Sequence, residues 1–392
     1  MTIKLFEKDV YKIRSECRIQ KVIREKDRTF LVLDKTIFFP EGGGQPSDKG
    51  TIGDSQVIHV SERDGVIYHH VDKVPVGESH ICELDWDRRF DHMQQHCGEH
   101  ILSGVIMEHY GYLNKGFHLG ESYVSIDIDG NLTDDEQLLN IETLANKAIY
   151  ENRPVIIDTV DSVEKAMQYH VRKMPNLQEN LRIVYIADVD SVACCGTHPA
   201  RTGEVGILKI LKVQRYKKMT RLFFKCGLRA LQELQKEHQI ITELSVRYSA
   251  DLSTLIDKIS QEKEKYHDLK NNHIKIQSTL ASLEADNLIK NIKDNKLALS
   301  FQDKSIEAIG LIIKGIQERE NVLILASSLP DKKIILANNG KLDIDCGQII
   351  RDSINRFNGK GGGSKVRAQA TFEDLKELEL SVQHIKSVLF VE

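Results

Sequence analysis

The order of apolar and polar residues divides the chain into stretches that favour different secondary structures. Residues 1–88 contain short runs rich in β-branched and aromatic residues, such as RTFLVLDKTIFF and GVIYHHV, and Gly, Asp and Ser separate these runs. Such runs are typical of β-strands joined by turns. They predict a small N-terminal β-barrel or twisted sheet, which also contains the glycine-rich motif EGGGQP.

A helical pattern follows this β-rich stretch. In RRFDHMQQHCGEHILSGVIMEHY, apolar residues recur at steps of four along one stripe, namely Met93, Cys97, Ile101 and Val105. The segments YVSIDID, PVIIDTV, LRIVYIADV and GEVGILKILKV have strand-like patterns, and SVEKAMQYHVRK has a helical one. Residues 89–227 are therefore predicted to form a second domain, of the α+β type.

Residues 228–295 are highly charged, and neither Pro nor Gly occurs between residues 228 and 290. From Ile241 to Leu283, apolar or large residues recur mostly at steps of three or four, with one break in register at Leu252. This pattern predicts a helical coiled-coil linker with imperfect heptads. It leaves open whether the coil pairs within the chain or with a second chain.

The last stretch, residues 296–392, has the pattern of a compact C-terminal α/β domain. NVLILASS and KKIILAN are typical of buried strands, and CGQIIRDSINRF and FEDLKELELSVQHIKSVL are typical of helices. The segment FNGKGGGSKVRAQAT is predicted to be a glycine-rich loop. The four stretches together predict an α+β multidomain protein.

Composition narrows the function classes. The seven cysteines are scattered and odd in number, which argues against a disulfide framework and favours a metal or catalytic role for some of them. The N-terminus has no apolar signal-peptide core, and no stretch approaches the length of a membrane span. We therefore expect a cytoplasmic protein that has no membrane partner.

Two pairs of residues suggest a metal site. His96 and His100 lie four residues apart in the predicted helix, so both imidazoles share one face. Cys194 and His198 lie in ACCGTHPARTG, whose Gly, Thr and Pro suggest a turn. Three imidazoles and a thiolate suit zinc. Four protein ligands would close a tetrahedral site, so either the zinc becomes five-coordinate or one residue, for which His198 is the candidate, binds loosely; Cys195 is an alternative sulfur ligand.

A run of basic residues suggests a phosphate-binding surface. Eight Lys and Arg residues lie between Lys209 and Arg229 with no acidic residue among them, although the net charge of the chain is −4. The run is either a phosphate-facing surface or a solvated face of a strand or helix. The candidates for contact with RNA are Arg215, Lys217, Lys218 and Arg221.

The same segments carry a family resemblance. LDKTIFFPEGGGQPSDKG, DWDRRFDHMQQHCGEHILSG, GFHLGESYVSIDID, CCGTHPARTGEVG and RLFFKCGLRAL resemble the alanyl-tRNA editing proteins of the AlaX type and the editing half of alanyl-tRNA synthetase. GKGGGSKVRAQAT resembles the C-terminal domain of that synthetase, so the resemblance points to the long form of the editing protein. Two departures are Cys195, where the family usually has Gly, and Cys97, where it often has Thr or Ser.

The resemblance implies a zinc-dependent aminoacyl-tRNA deacylase that stands alone, because class II synthetase activation motifs have no evident counterpart ahead of the editing region. The family hydrolyses the ester that joins a wrong amino acid, serine or glycine, to alanine tRNA. Misacylated tRNA-Ala is thus the expected partner. Two alternatives stay open: a non-catalytic zinc-containing module that binds tRNA, and, less favoured because an Asp-His-His core is missing, a phosphoesterase accessory subunit.

Single residues acquire expected roles from the resemblance and from their chemistry. Thr36 matches the threonine that lines the amino-acid pocket of the family, and its hydroxyl would bind the serine side chain. Gln45 would orient the ester or the ribose. His118 would either contact a zinc ligand or touch the terminal adenosine, and the alternative is a core histidine without a role at the site. Glu99 lies between the zinc histidines in sequence but is expected to face elsewhere on the helix.

The C-terminal domain is expected to bind tRNA as well. In the synthetase the corresponding domain holds the tRNA elbow and assists dimerisation, so the long form is a possible homodimer through this domain or through the coiled coil. The expected RNA contacts combine backbone amides with flanking positive charges. They are Lys360, Gly361, Gly362, Gly363, Lys365 and Arg367.

Overall fold

The computed structural model describes residues 2–169, 171–172 and 181–390. The chain separates into two compact units, Met1–Glu243 and Leu244–Glu392. Both units contain helices and sheets, which confirms the predicted α+β multidomain class.

The first unit begins with a closed β-barrel. A short strand β1 (Ile3–Lys4) and a short helix α1 (Leu5–Lys8) precede it, and β1 pairs in parallel with β4 (Lys35–Thr36). The barrel strands are β2 (Arg14–Glu25), β3 (Arg28–Leu33), β5 (Gly50–Ile52), β6 (Ser55–Arg63), β7 (Val66–Val71) and β8 (Ser79–Leu84). They close in the order β2-β3-β7-β6-β5-β8 around a core of aliphatic and aromatic side chains.

The glycine-rich motif forms a tight turn between β4 and β5. Gly42 and Gln45 exchange backbone hydrogen bonds of 3.1 and 3.0 Å, and the two residues between them, Gly43 and Gly44, have φ angles of +59° and +81°. Two consecutive positive φ angles characterise a type I′ turn, which glycine adopts without steric cost. The turn directs the side chain of Gln45 into the protein, where it is fully buried.

The helix α2 (Trp86–Tyr110) follows the barrel. Asp85 caps its first turn by accepting a hydrogen bond from the Arg88 amide, and Gly111 ends it in a left-handed conformation. The predicted apolar stripe is buried, and so are polar residues on the other faces of the helix, from His92 to Ser103. Because buried polar groups need partners, this helix marks the place to look for a site.

A buried ion pair fastens α2 to the segment that follows the glycine-rich turn. The guanidinium of Arg89 donates to both carboxylate oxygens of Asp48, to the Val10 carbonyl at 2.9 Å and to the Ile37 carbonyl at 2.8 Å. The side chains of Arg89 and Asp48 are both fully buried. Since an unpaired buried charge is strongly destabilising, the pair fixes the position of the helix relative to the turn.

Two antiparallel sheets complete the first unit, with the core between α2 and the four-stranded sheet. The further elements are β9 (Asn114–Leu119), β10 (Val124–Ile128), α3 (Asp135–Tyr150), β11 (Val155–Val160), α4 (Val163–Met167), β12 (Leu181–Ile186), β13 (Asp190–Ala193), a 3-10 helix (Thr202–Val205), β14 (Leu208–Tyr216) and β15 (Met219–Cys226). The sheet orders are β14-β15-β10-β9 and β11-β12-β13. The predicted helix SVEKAMQYHVRK is helical only at α4, and its last part extends outside the described residues.

The predicted coiled-coil region contains two helices, α5 (Gly227–Tyr248) and α6 (Leu255–Ile289). The interruption between them includes Leu252, the position of the break in register, and Ser249 adopts a positive φ of 49° there. Large apolar side chains along α6 are exposed, among them Tyr266 and Leu269. Pairing of these helices as a coiled coil stays a prediction.

The second unit contains a five-stranded sheet with helices on both faces. Its elements after α6 are β16 (Lys296–Phe301), α7 (Ile306–Gln317), β17 (Leu323–Ser328), β18 (Lys333–Ala337), α8 (Cys346–Arg356), β19 (Lys360–Gly363), β20 (Arg367–Thr371) and α9 (Leu375–Leu389), and the sheet order is β16-β17-β18-β20-β19. Successive residues of β17 face opposite sides of the sheet. Ile324 packs in a core with α6 and α7, and Leu325 packs in a core with α8 and α9.

The glycine-rich segment of this unit, residues 357–371, was predicted to be a loop, and this prediction was wrong for residues 360–363 and 367–371, which form the strands β19 and β20. The edge strand β19 pairs with β20. A Cβ atom on Gly361 would lie 2.1 Å from the Gln369 carbonyl oxygen, and one on Gly363 would lie 2.3 Å from the Arg367 carbonyl oxygen. The glycines are therefore required for close approach of the two strands rather than for a flexible loop.

The barrel interior also holds a histidine. His69 is fully buried, and its Nδ1 lies 3.1 Å from the Leu31 carbonyl, which can only accept; Nδ1 therefore carries the hydrogen. The Thr36 hydroxyl donates to the remaining nitrogen, Nε2, over 2.8 Å. Burial lowers the pKa of His69 to about 4, so the ring is neutral at neutral pH.

We predict that His69 makes the first unit sensitive to mild acid. Its folded pKa of about 4 lies below the ordinary value of 6.5, so unfolded chains bind more protons between these values. The contribution of His69 to the free energy of unfolding is complete above pH 6.5 and falls by about 3 kcal/mol as the pH drops to 4. Urea unfolding followed by the fluorescence of Trp86, the single tryptophan, measures it.

His69→Asn should flatten this pH dependence, whereas His70→Asn, a change at the half-buried neighbouring residue, should keep most of it. Equal pH slopes for His69→Asn and the wild-type protein would contradict the assignment.

Candidate metal centre

Four side chains that were predicted to bind a metal converge in the first unit. Their ligand atoms all lie within 4.8 Å of one another, and they belong to His96, His100, Cys194 and His198. The histidines are 1–2% exposed and Cys194 is half-buried. The helix α2 presents the first pair one turn apart, and the loop after β13 presents the second pair.

The spacing of these atoms fits zinc. Cys194 Sγ lies 3.4 Å from His96 Nε2 and 3.4 Å from His198 Nε2. Zinc bond lengths of about 2.3 Å to sulfur and about 2.0 Å to nitrogen, at tetrahedral angles, require sulfur–nitrogen separations of about 3.5 Å. The donor set of three nitrogens and one sulfur is also one that zinc prefers. The residues therefore fit the ion that the sequence suggested.

Two of the three imidazoles are held by neighbouring side chains. His96 Nδ1 donates to the Gln45 side-chain oxygen over 2.9 Å, which leaves Nε2 free to bind a metal. His100 Nδ1 lies 3.1 Å from Asp190 Oδ2, a carboxylate–histidine arrangement common at zinc sites. Neither His100 Nδ1 nor His198 Nδ1 makes a hydrogen bond of regular geometry among the described residues, but only His100 has a carboxylate this close.

The electrostatics of the cluster favour a thiolate ligand. Burial opposes ionisation of Cys194, but the facing imidazoles of His96 and His198 outweigh it, so the pKa of the thiol lies well below its ordinary value. Burial lowers the pKa of His198 to about 3, which keeps its imidazole neutral. Burial opposes protonation of His100, but its contacts with Asp190 and Cys194 raise its pKa to about 10, so a metal would displace a proton from this ring.

The glycine after the two cysteines is required by the cluster. A Cβ atom on Gly196 would lie 2.3 Å from the His96 ring and 2.9 Å from the Gln45 side-chain oxygen. Next to it, Thr197 donates its backbone N–H to Gln45 Oε1 over 3.1 Å and accepts from Gln45 Nε2 over 2.8 Å. Gln45 thus connects the glycine-rich turn, α2 and the loop of Cys194.

A pocket of about 310 Å³ opens beside the metal residues. Its wall includes Gly43 of the turn, Phe117, which stacks on His96 with ring centroids 5.0 Å apart, and Arg172. The exposed Cys195 also lines it, but its sulfur is not among the four converging ligand atoms, so the structure favours Cys194 as the sulfur ligand.

Glu99 lines the same pocket, and the expectation that it faces elsewhere on the helix was wrong. A residue three positions after His96 is rotated by only about 60° around the helix axis, so it shares the face of the histidines. The oxygens of its carboxylate lie 3.7 Å from His100 Nε2 and 3.7 Å from an Arg172 nitrogen. Arg172 in turn donates to Asp190 over 2.7 Å.

The other predicted site residues have different positions. The Thr36 hydroxyl donates to His69 and accepts from the Phe38 amide over 3.1 Å, and Thr36 is not among the described residues that line the pocket. Gln45 contacts metal residues, as described above. His118 is exposed on β9, and because successive strand residues face opposite sides, its ring points away from the face on which Phe117 meets His96.

The basic run is partly neutralised in the folded protein. Half of its side chains pair with carboxylates outside the run: Lys209 with Glu142, Arg221 with Asp127, Lys225 with Glu233 and Arg229 with Asp91. Arg221 also stacks on Tyr216 at 3.7 Å. Exposed Arg215, Lys217 and Lys218 surround a shallow pocket at the turn between β14 and β15.

In the second unit, the predicted tRNA-contacting side chains of Lys360, Lys365 and Arg367 are exposed on and beside β19. Sequence reasoning missed Asp190 and Arg172, because only the folded chain brings these residues to His100 and Glu99.

None of the described helices is long and apolar enough to cross a membrane.

Comparison with known proteins gives two family matches. Residues 3–88 match the family described as tRNA synthetases class II (A), and residues 181–223 match the threonyl and alanyl tRNA synthetase second additional domain. The chain is 30% identical to alanyl-tRNA editing protein AlaX-L of Pyrococcus horikoshii, with 100% of both chains covered.

Relatives of lower identity include another alanyl-tRNA editing protein and an alanine–tRNA ligase. Alanyl-tRNA editing protein Aarsd1 of Danio rerio is 28% identical over 90% of this chain and 87% of its own length. Alanine–tRNA ligase of Pyrococcus abyssi is 27% identical, with 98% of this chain but only 43% of the ligase covered. The chain therefore spans less than half the length of this ligase.

We predict that the wild-type chain binds about one zinc ion and that the four donors determine its affinity. Competition with a chelator measures this affinity. Gln45→Ala should weaken it by about 10–100-fold, the effect typical of losing a group that orients a ligand, and His96→Ala should weaken it further. His118→Ala is the matched control and should keep wild-type affinity. Wild-type zinc affinity in His96→Ala would contradict the assignment.

Proposed function

Because this chain belongs to the alanyl-tRNA editing proteins of the AlaX long form, we propose that it hydrolyses the ester bond of misacylated tRNA-Ala at the site formed by His96, His100, Cys194 and His198. The expected substrates are seryl-tRNA-Ala and glycyl-tRNA-Ala. The observation that supports this proposal is the convergence of four metal-binding side chains at the wall of an open pocket. A purely structural zinc site would not need the pocket.

A zinc ion held there would supply a Lewis acid toward the ester. The protein's own side chains have positioning tasks. Gln45 and Asp190 hold the rings of His96 and His100, so each presents Nε2 to the same point. His198 lacks such a partner among the described residues, which supports its assignment as the looser ligand. A loosely held ligand is one way in which a four-ligand site admits a substrate group.

Hydrolysis of the wrong ester after the tRNA has been charged is the expected way to separate serine and glycine from alanine. An activation pocket shaped for alanine cannot strongly reject serine, which adds only a hydroxyl, nor glycine, which is smaller. A second site with different contacts can discriminate. Thr36 remains the candidate that the family resemblance provides for the serine hydroxyl, although two intramolecular hydrogen bonds already engage its own hydroxyl.

The tRNA would be held by exposed positive charges. In the first unit these are Arg215, Lys217 and Lys218, which have no acidic partner within ion-pair distance among the described residues, while Arg221 supports Tyr216. In the second unit they are Lys360, Lys365 and Arg367, together with the backbone of Gly361, Gly362 and Gly363. Contacts to phosphate give affinity that falls with salt. A homodimer through the coiled coil or the C-terminal domain is also proposed.

The second candidate function is a tRNA-binding module without hydrolysis. The observation that favours it is the complete set of four protein ligands, because such a set closes a tetrahedral zinc. In that case zinc would stabilise the loop of Cys194 and His198 against α2, and the pocket would hold the aminoacyl end without reaction.

Deacylation assays separate the two functions. We predict that the zinc-loaded wild-type protein hydrolyses seryl-tRNA-Ala or glycyl-tRNA-Ala at least tenfold faster than alanyl-tRNA-Ala, and that a chelator or His96→Ala abolishes this activity. The measurement is the amount of charged tRNA remaining over time. Zinc-loaded protein that binds these tRNAs but leaves all three esters intact would favour the binding module instead.

A further inference from the structure

One carboxylate at the pocket wall has no task among the metal ligands. We propose that Glu99 binds the α-ammonium group of the aminoacyl ester and so restricts hydrolysis to esters that carry a free α-amino group. This inference rests on the proposed deacylase function, and it assigns a substrate-binding residue within that site.

The position of Glu99 is fixed through one of its two oxygens. Oε1 accepts hydrogen bonds from the Ser103 hydroxyl over 2.6 Å and from the Asn114 side-chain amide over 2.7 Å, with an Arg172 nitrogen at 3.7 Å. Ser103 lies one turn later on α2, and Asn114 begins β9. Two hydrogen-bond donors and the nearby guanidinium of Arg172 therefore orient the carboxylate.

The second oxygen is available to a ligand. Oε2 has no hydrogen-bond donor among the described residues, and it lies 3.7 Å from His100 Nε2, the nitrogen that faces the metal position. The Glu99 side chain is only 6% exposed. Because Glu99 lines the pocket, a ligand there can donate a hydrogen bond to this oxygen, which has little contact with water.

The charges around Glu99 favour a cation. Arg172 lies 3.7 Å from Glu99, but its guanidinium donates to Asp190 through two nitrogens, over 2.7 and 3.2 Å. Two carboxylates thus share one guanidinium. The group that an aminoacyl ester offers as a cation is its α-ammonium, whereas its ester oxygens can only accept hydrogen bonds and would be repelled by a carboxylate.

The geometry also places the ester correctly. The α-nitrogen and the carbonyl carbon of an amino acid are two bonds, or about 2.5 Å, apart. Because Glu99 Oε2 lies 3.7 Å from His100 Nε2, an ammonium bound to this oxygen brings the carbonyl next to the metal ligands. Positioning of this kind lowers the entropic cost of reaching the reactive arrangement.

The test compares two esters that differ only at the α position. Seryl-tRNA-Ala carries the α-ammonium, and glyceroyl-tRNA-Ala, the ester of glyceric acid, carries a hydroxyl in its place. The variant Glu99→Gln keeps the shape of the side chain and an oxygen for Ser103 and Asn114. Each kcat/KM is divided by the uncatalysed hydrolysis rate of the same ester, because the two esters differ in intrinsic reactivity.

We expect Glu99→Gln to lower this quotient for the seryl ester by about 10–100-fold, the effect of losing a charge-assisted hydrogen bond, mainly through KM. For the glyceroyl ester the quotient should change by less than about twofold. The wild-type protein should prefer the seryl ester by a similar factor. Glu108→Gln, the same change at an exposed position of the same helix, should leave both quotients at the wild-type value.

Three results would overturn the inference alone: equal losses on both esters, loss of bound zinc in Glu99→Gln, or a wild-type quotient that is the same for the two esters. The last needs no variant, so misfolding cannot obscure it. Wild-type protein that hydrolyses neither ester would overturn the proposed function, and this inference with it.

Discussion

Three buried imidazoles and a half-buried thiol converge within 4.8 Å of one another, and the rest of the first unit depends on this arrangement. Cys194 Sγ lies at the same 3.4 Å from two imidazole nitrogens, and the buried Nδ1 of His198 has no partner among the described residues. A cation bound between these ligand atoms would be held by all four side chains at once. The residues around the cluster can be understood as the means by which the fold keeps it together.

The scaffold achieves this through three connections. The ion pair of Arg89 and Asp48 holds the start of α2 against the barrel. The type I′ turn at Gly43 and Gly44 directs Gln45 toward His96 and Thr197. Asp190 on β13 holds His100. Each connection joins segments that are distant in sequence, so the metal residues are positioned by the tertiary structure and not by their local backbone alone.

The four candidate metal ligands could be picked out from the sequence, and their convergence expected, because their signals are local. Two histidines four residues apart on a helix share a face whatever surrounds them, and a cysteine–histidine pair in a Gly-Thr-Pro turn is compact. Glu99 was misjudged although the same helical geometry places it beside His96. Asp190 and Arg172 had no local signal, because their roles arise only when β13 and the segment containing Arg172 meet α2.

Pairing between separate elements also explains two other differences between the structure and the sequence-based prediction. The basic run has no acidic residue within it, yet half of its charges pair with carboxylates from α2, β10, α3 and α5. The glycines of residues 361–363 looked like a loop, since glycine permits both flexible turns and close strand packing, and sequence alone does not distinguish these uses. The α+β class and the strands and helices with clear periodicity were correctly predicted.

X-ray absorption at the zinc edge of the purified, zinc-loaded protein tests the central claim most directly. The account predicts a shell of about one sulfur at about 2.3 Å together with two or three imidazole nitrogens at about 2.0 Å, and loss of the sulfur signal in Cys194→Ser. A shell of oxygen ligands only, or a sulfur signal that persists unchanged in Cys194→Ser, would contradict the account.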